Sequence, residues 1–188
     1  MQVHTPVVPT QSVYRQLLQA MSHPGRLYTL PLREWSCPLL AVCETLLDHE
    51  VSFCVLPGAD ASWEADIFAL TKARVAALHE ADYLVIPGSS SDGAITEANL
   101  GDLAFPDRGA TFMYVMDGPL PESTGTGPML SGPGLARESH PDVNPLDAEE
   151  WRQLKALNDD YPLGVDALCL IGETQVLAIP RSTRIKVD

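Results

Sequence analysis

Basic residues are scarce in this chain of 188: 12 Lys and Arg stand against 25 Asp and Glu, a formal net charge of −13. So acidic a body repels phosphate backbones and anionic lipid at long range, which argues against an autonomous nucleic-acid-binding module and against adsorption to a membrane. No apolar run approaches the roughly 20 residues that span a bilayer. The opening Met1-Gln2-Val3-His4-Thr5-Pro6 lacks the charged and apolar regions of a secretory leader, so a cytoplasmic protein is expected. Cysteine is sparse as well. Cys37, Cys43, Cys54 and Cys169 form no C-x-x-C pair, which removes support for zinc or an iron–sulfur cluster. Lying in or beside apolar segments, they are expected to be buried thiols. The histidines show no H-E-x-x-H, H-x-H or two-His-one-carboxylate spacing, so no metal is expected. Internal repeats and low-complexity tracts are absent too.

What is present suits one globular domain over 1–188: 45% hydrophobic residues, and a length that buries roughly 70% of the unfolded surface. The charge is unevenly spread. Residues 1–33 carry Arg15, Arg26 and Arg33 and no acid, and residues 167–188 carry Arg181, Arg184 and Lys186 against Glu173 and Asp188. Both ends are basic and the middle is strongly acidic. Were the ends to meet, they would form a small basic patch on an acidic body.

Periodicity predicts an amphipathic helix with Tyr14, Leu17, Leu18 and Met21 as its apolar stripe, Ser12 at its cap and Ser22-His23-Pro24-Gly25 as its stop. A second helix follows over Leu39–Leu47, then a strand over Val51–Leu56. A third helix is predicted from Ser62 to about Leu78, a strand over Tyr83–Ile86, a short helix around Thr96–Leu103 and a strand over Thr111–Met116. The stretch 117–145, rich in Gly, Pro and Ser, reads as loop with a short strand near Met129. Asp147-Ala148-Glu149-Glu150 has capping-box spacing and opens a helix through Trp151, Leu154 and Leu157. Val165–Ile171 and Gln175–Ile179 form a hairpin about Gly172-Glu173-Thr174. This alternation predicts an α/β protein, a three-layer sandwich with a mostly parallel sheet and a C-terminal antiparallel hairpin.

Few constellations carry chemistry. Pro87-Gly88-Ser89-Ser90-Ser91-Asp92-Gly93 follows a strand, where α/β sheets place phosphate-binding turns. It lacks the P-loop lysine and misses the nucleophile elbow, because Asp92 stands where a glycine is needed. An ordinary turn is the simpler reading. In Ser131-Gly132-Pro133-Gly134, two glycines flank a proline and free two N–H groups to face a ligand or partner, though this too can be only a tight turn. His23 sits in a helix stop, where it can simply satisfy the dipole. Pro180-Arg181-Ser182-Thr183-Arg184 sets two guanidinium forks and two hydroxyls just past a buried strand. That is a donor set for a phosphate, a phosphonate or a partner's carboxylates, set against the simpler reading of a solvated tail.

Three segments together resemble the PhnH subunit family of the bacterial carbon–phosphorus lyase system. Tyr14-Arg15-Gln16-Leu17-Leu18-Gln19-Ala20-Met21-Ser22-His23-Pro24-Gly25 is similar to that family's opening, with Tyr14 for its Phe. Leu130-Ser131-Gly132-Pro133-Gly134-Leu135 is similar to its Gly-Pro-Gly turn. Tyr161-Pro162-Leu163-Gly164-Val165-Asp166 and Ala178-Ile179-Pro180-Arg181-Ser182-Thr183 resemble its most specific pair, with Tyr161 for Phe and Ser182 for Thr. The motifs span positions 14 to 183; residues 57–110 match only in rhythm.

The resemblance implies phosphonate catabolism, a homodimer, and assembly with G, I and J subunits in a core complex. With an ATP-binding partner, that assembly forms a ribose 1-phosphonate 5-triphosphate from ATP and an alkylphosphonate, releasing adenine. It implies a fold like the large domain of pyridoxal-phosphate-dependent transferases. The cofactor itself is not expected, because Lys72, Lys155 and Lys186 are the only lysines and none follows a Schiff-base motif. Candidate ligand- or partner-binding residues are Arg15, His23, Ser131, Gly132, Gly134, Asp166, Arg181, Ser182 and Thr183. Two readings follow: a structural subunit without a catalytic nucleophile, or a phosphonate- or nucleotide-binding site made by the basic segments. A free-standing anion- or small-molecule-binding α/β protein is the alternative outside the family.

Overall fold

A computed structural model describes residues 8–32, 37–118 and 127–187. Its centre is a seven-stranded sheet built from β1 (Tyr28–Thr29), β2 (Ser52–Val55), β3 (Arg74–Val75), β4 (Tyr83–Pro87), β5 (Thr111–Met116), β7 (Asp166–Ile171) and β8 (Gln175–Ile179). The spatial order is β1-β8-β7-β5-β4-β2-β3. Strands β3, β2, β4, β5 and β7 run parallel; β8 turns back antiparallel on β7, and β1 lies antiparallel on β8. The parallel block and the C-terminal hairpin are thus both as predicted. A second sheet pairs β6 (Met129–Ser131) with β9 (Arg184–Lys186), and sequence periodicity alone did not indicate that pairing.

The interior strands read as continuous apolar runs because both faces of the sheet are covered. One face packs α1 (Val8–Ser22), α2 (Pro38–Leu46) and α3 (Trp63–Thr71) through Leu17, Val42 and Ile67 onto Phe53, Val85 and Met113. The other packs α4 (Ala148–Leu157) and the small sheet through Trp151, Leu154, Leu130 and Ile185 onto Ile86, Phe112 and Ile179. These are the three expected layers. Among the described residues, no helix is long and apolar enough to cross a membrane.

Several local expectations are corrected. Helix α1 begins at Val8, so Ser12 lies within it and caps nothing. Its buried stripe is Val13, Leu17 and Ala20, whereas Tyr14 and Leu18 are 48% and 46% exposed. An apolar i, i+4 pair therefore faces outward. Helix α3 stops at Thr71, well short of Leu78, because Lys72 adopts a left-handed conformation (φ 63°) and the chain leaves to add β3 at the sheet edge. The helix expected over 96–103 is a single 3-10 turn, Ala94–Glu97. Asn99 folds its side-chain oxygen back onto the Gly101 N–H (2.9 Å), a local bond that competes with helical pairing. The short strand expected near Met129 is present as β6, while residues 119–126 of the surrounding loop lie outside the described residues. Of the cysteines, Cys43 and Cys169 are buried, but Cys37 is exposed and Cys54 only partly covered. Cys37 is exposed because it stands at the N-cap of α2, where its sulfur accepts from the Leu40 N–H (3.5 Å).

Candidate functional site

Strand β8 ends at Ile179, and from Pro180 the chain turns tightly, the Thr183 N–H bonding the Pro180 carbonyl (2.8 Å). The turn aims Arg181 at the N-terminal ends of β7 and β5. Its Nε and Nη2 donate to Asp166 Oδ2 (3.0 and 2.7 Å), and its backbone N–H donates to Asp166 Oδ1 (2.8 Å). Nη1 donates to the Pro106 carbonyl and Nη2 also to that of Gly109 (3.2 Å). The side chains are 16% and 19% exposed. Most of the guanidinium fork is therefore committed within the chain, tying β7, the end of β8 and the 106–109 turn together. Arg181 and Asp166 are brought into contact, as a clamp.

Glycine allows the surrounding backbones to close on that clamp. A side chain at Gly109 would run into the Gly164 carbonyl and the Arg181 fork. One at Gly164 would strike Asn158, whose amide holds the Val165 N–H (2.7 Å) and carbonyl (3.1 Å). Gly134, at φ 83°, packs on the Ser22 carbonyl and Pro24. A Cβ at Gly132, where φ is 125°, would stand only 2.9 Å from the Ser182 carbonyl, too close for any side chain. The Ser131–Gly134 turn thus touches the stop of α1 on one side and the Arg181–Arg184 segment on the other. Ser131 itself pairs with Arg184 in the β6–β9 ladder. Three motifs far apart in sequence meet at one place.

Beside them opens a recess of about 710 Å³, walled by Gly132, Lys155, Asp159, Ser182, Thr183 and Arg184, with Tyr161 and Arg181 also on its lining. Three cations and one carboxylate line it. Lys155 is paired with Asp159 (2.8 Å), and both side chains are well exposed. Thr183 is 3% exposed, and its hydroxyl is buried without a partner among the described residues.

The other candidates lie elsewhere. Arg15 is exposed on α1, is held by no hydrogen bond or ion pair among the described residues, and does not line the recess. His23 sits at the end of α1 with Nδ1 near the Gln19 carbonyl (3.1 Å) and the Tyr28 hydroxyl (2.9 Å). The basic ends therefore converge only in part: the stop of α1 reaches the Gly-Pro-Gly turn while Arg15 stays apart.

A larger crevice, about 960 Å³, opens at the C-terminal ends of β2, β4, β5 and β7. There the chain leaves β2 toward α3 on one face and leaves β4 toward the opposite face, the place where open α/β sheets hold ligands. Among the described residues its charged lining is Asp60, Asp117 and Glu173, an acidic wall that disfavours phosphate there.

The Ser89–Gly93 turn is already occupied from within. Asp147 caps α4 by accepting from the Glu150 N–H (2.9 Å), but the Glu150 side chain does not reach back to complete a capping box. It accepts instead from the Ser91 N–H (3.1 Å), the Ser91 hydroxyl (3.0 Å) and the Tyr114 hydroxyl (2.7 Å). A buried internal carboxylate takes the place of an external anion. Burial, and then the Glu150 charge, push the Tyr114 hydroxyl well above its ordinary range. The sequence offered one signal for this: Glu150 lies at the apolar i, i+4, i+7 positions with Leu154 and Leu157, where a carboxylate is out of place.

Fold and site together define a three-layer α/β protein whose motif residues interlock around a basic recess. The described hydrogen bonds include no Ser–His or Cys–His pair, and no group of His, Cys, Asp and Glu among the described residues could hold a metal ion. The family model for bacterial phosphonate metabolism proteins, PhnH, matches residues 2–186, and the chain belongs to that family. It is also 32% identical over 182 residues to HtxG of Stutzerimonas stutzeri, a protein whose name places it as a C-P lyase subunit; the match covers 94% of this chain and 86% of that one.

Proposed function

We propose that this chain is a structural, homodimeric subunit of a carbon–phosphorus lyase core complex in phosphonate degradation. It would work with G, I and J subunits that form ribose 1-phosphonate 5-triphosphate from ATP and alkylphosphonate. Family membership and the C-P lyase subunit name of its relative support the setting. One observation carries the structural role: among the family-like residues, Gly134, Gly164, Asp166 and Arg181 lock the scaffold, while Tyr14, Arg15 and Leu18 stand exposed on α1. An outward aromatic–Arg–Leu group on a firmly packed helix suits a partner surface, where aromatics and Arg are enriched.

The fold is read as that of the pyridoxal-phosphate-dependent transferase large domain without the cofactor. Lys72, Lys155 and Lys186 all lie off the strand-end crevice, which leaves no amine there for a Schiff base.

The test is a Tyr14→Ser/Leu18→Ser variant. Because both side chains are already half exposed, it should unfold within about 1 kcal/mol of the parent. It should nevertheless lose its dimer in sedimentation, or its co-purification with homologous G, I and J subunits. Full retention of both associations would remove α1 as the partner surface. Failure of the parent chain to associate at all would defeat the assembly role.

A further inference from the structure

The recess beside the Pro180–Arg184 turn has the chemistry of a binding site that the clamp does not use. Arg181 is committed to Asp166 and to the Pro106 and Gly109 carbonyls, so it shapes the wall. Arg184 differs. It is exposed, lines the same recess, and no ion pair holds it among the described residues. Lys155 reaches the recess from α4 and is tied only to Asp159 at the surface, an association weak enough to yield to a better anion. The Thr183 hydroxyl, buried and unpartnered, is the most telling group. Native structures rarely leave a buried polar group unpaired, and doing so costs the desolvation of that group. Its own backbone N–H is fixed to Pro180, so the turn holds it in place. Ser182 adds a second hydroxyl on the same lining.

We propose that this recess binds one tetrahedral oxyanion, a phosphate or phosphonate group, through Arg184, Lys155 and the Ser182 and Thr183 hydroxyls. An oxyanion offers several acceptor lone pairs, which matches a wall of ammonium, guanidinium and hydroxyl donors. Among the described residues, the acidic strand-end crevice offers no such wall. The site stands on its own geometry and needs no partner subunit.

Calorimetry and thermal shift on the full chain test it, with inorganic phosphate, methylphosphonate and ATP as separate probes. Saturable binding of phosphate or methylphosphonate is expected, and the ratio of their affinities tells a phosphoryl from a phosphonyl ligand. Tighter binding of ATP would mark the site as a triphosphate's terminal group. Thr183→Val should raise the melting temperature of the unliganded protein, by removing an unpaired hydroxyl, while weakening anion binding about tenfold. Arg184→Ala should weaken it at least as much. Arg74→Ala, on the far sheet edge, should bind as the parent does.

Absence of saturable binding by all three probes overturns the proposal, as does undiminished binding in both recess variants. Equal weakening by Arg74→Ala would reduce the effect to overall charge and overturn it too. Response to an acidic peptide but not to phosphate would assign the recess to a protein partner instead. None of these results bears on the assembly role, which co-purification reads separately.

Discussion

Arg181→Ala lowers the free energy of unfolding by about 3 kcal/mol, the cost of leaving a largely buried carboxylate without its partner. For a chain of this size that is roughly a 10 °C fall in melting temperature, readable by calorimetry or by denaturant midpoint. The cost is large because one side chain serves several acceptors. Removing it strips Asp166 Oδ2 of both its donors and frees the Pro106 and Gly109 carbonyls ahead of β5. Arg181→Lys should recover little, since an ammonium cannot span a carboxylate and two carbonyls as a planar fork does. The double variant Arg181→Ala/Asp166→Ala should be less destabilised than the sum of the singles, by about 1–2 kcal/mol, because the orphaned carboxylate is then gone as well. Single variants within about 0.5 kcal/mol of the parent would mean that the clamp is not part of what holds the fold.

This clamp also marks the boundary between what the sequence discloses and what only the fold shows. The layers were legible because both sheet faces are covered. Thr111–Met116 and the 166–179 hairpin therefore appear as unbroken apolar runs between turn residues, and no other structure buries them as economically. The donor set of Pro180–Arg184 was legible as well. Its division of labour was not: Arg181 and Arg184 look alike in sequence, and only the long-range contact with Asp166 and Gly109 turns one inward while the other faces solvent. The orientation of α1 was hidden for a related reason. Tyr14 and Leu18 fit an apolar stripe as well as Val13 and Leu17 do, and which stripe is buried depends on the sheet that the helix meets. The β6–β9 pair joins residues more than fifty positions apart through three-residue strands, too short for periodicity to reveal.

Glu150→Ala is the second large effect, again about 3 kcal/mol, and it acts on the opposite end of α4. The substitution removes the acceptor of the buried Tyr114 hydroxyl and of the part-buried Ser91 N–H and hydroxyl, and it leaves a cavity where the buried Glu150 side chain stood. Glu150→Gln keeps the shape and one oxygen. Its amide can donate to the Tyr114 oxygen while Oε1 accepts from Ser91, so the loss should be only about 1 kcal/mol. The contrast between the two variants separates loss of hydrogen bonding from loss of charge. If Gln proves as damaging as Ala, the carboxylate charge is what holds the Ser89–Gly93 turn. The pH dependence carries a matching sign. Burial, then Glu150, raise the Tyr114 hydroxyl above its ordinary 10.0, and burial, reinforced by Cys37, pushes Cys43 from 9.0 to about 12. Both groups keep their protons in the folded chain and lose them first when it unfolds. Their contribution to stability is fully present below the unfolded values near 9 and 10 and declines as pH rises past them toward the folded ones. Denaturant midpoints measured from pH 8 to pH 11 should therefore fall progressively in the parent. Because burial, the larger cause, stays in place in Glu150→Gln, that variant should still decline above pH 10; Tyr114→Phe should show the shallower decline there, and an unchanged slope in it would remove Tyr114 as the source.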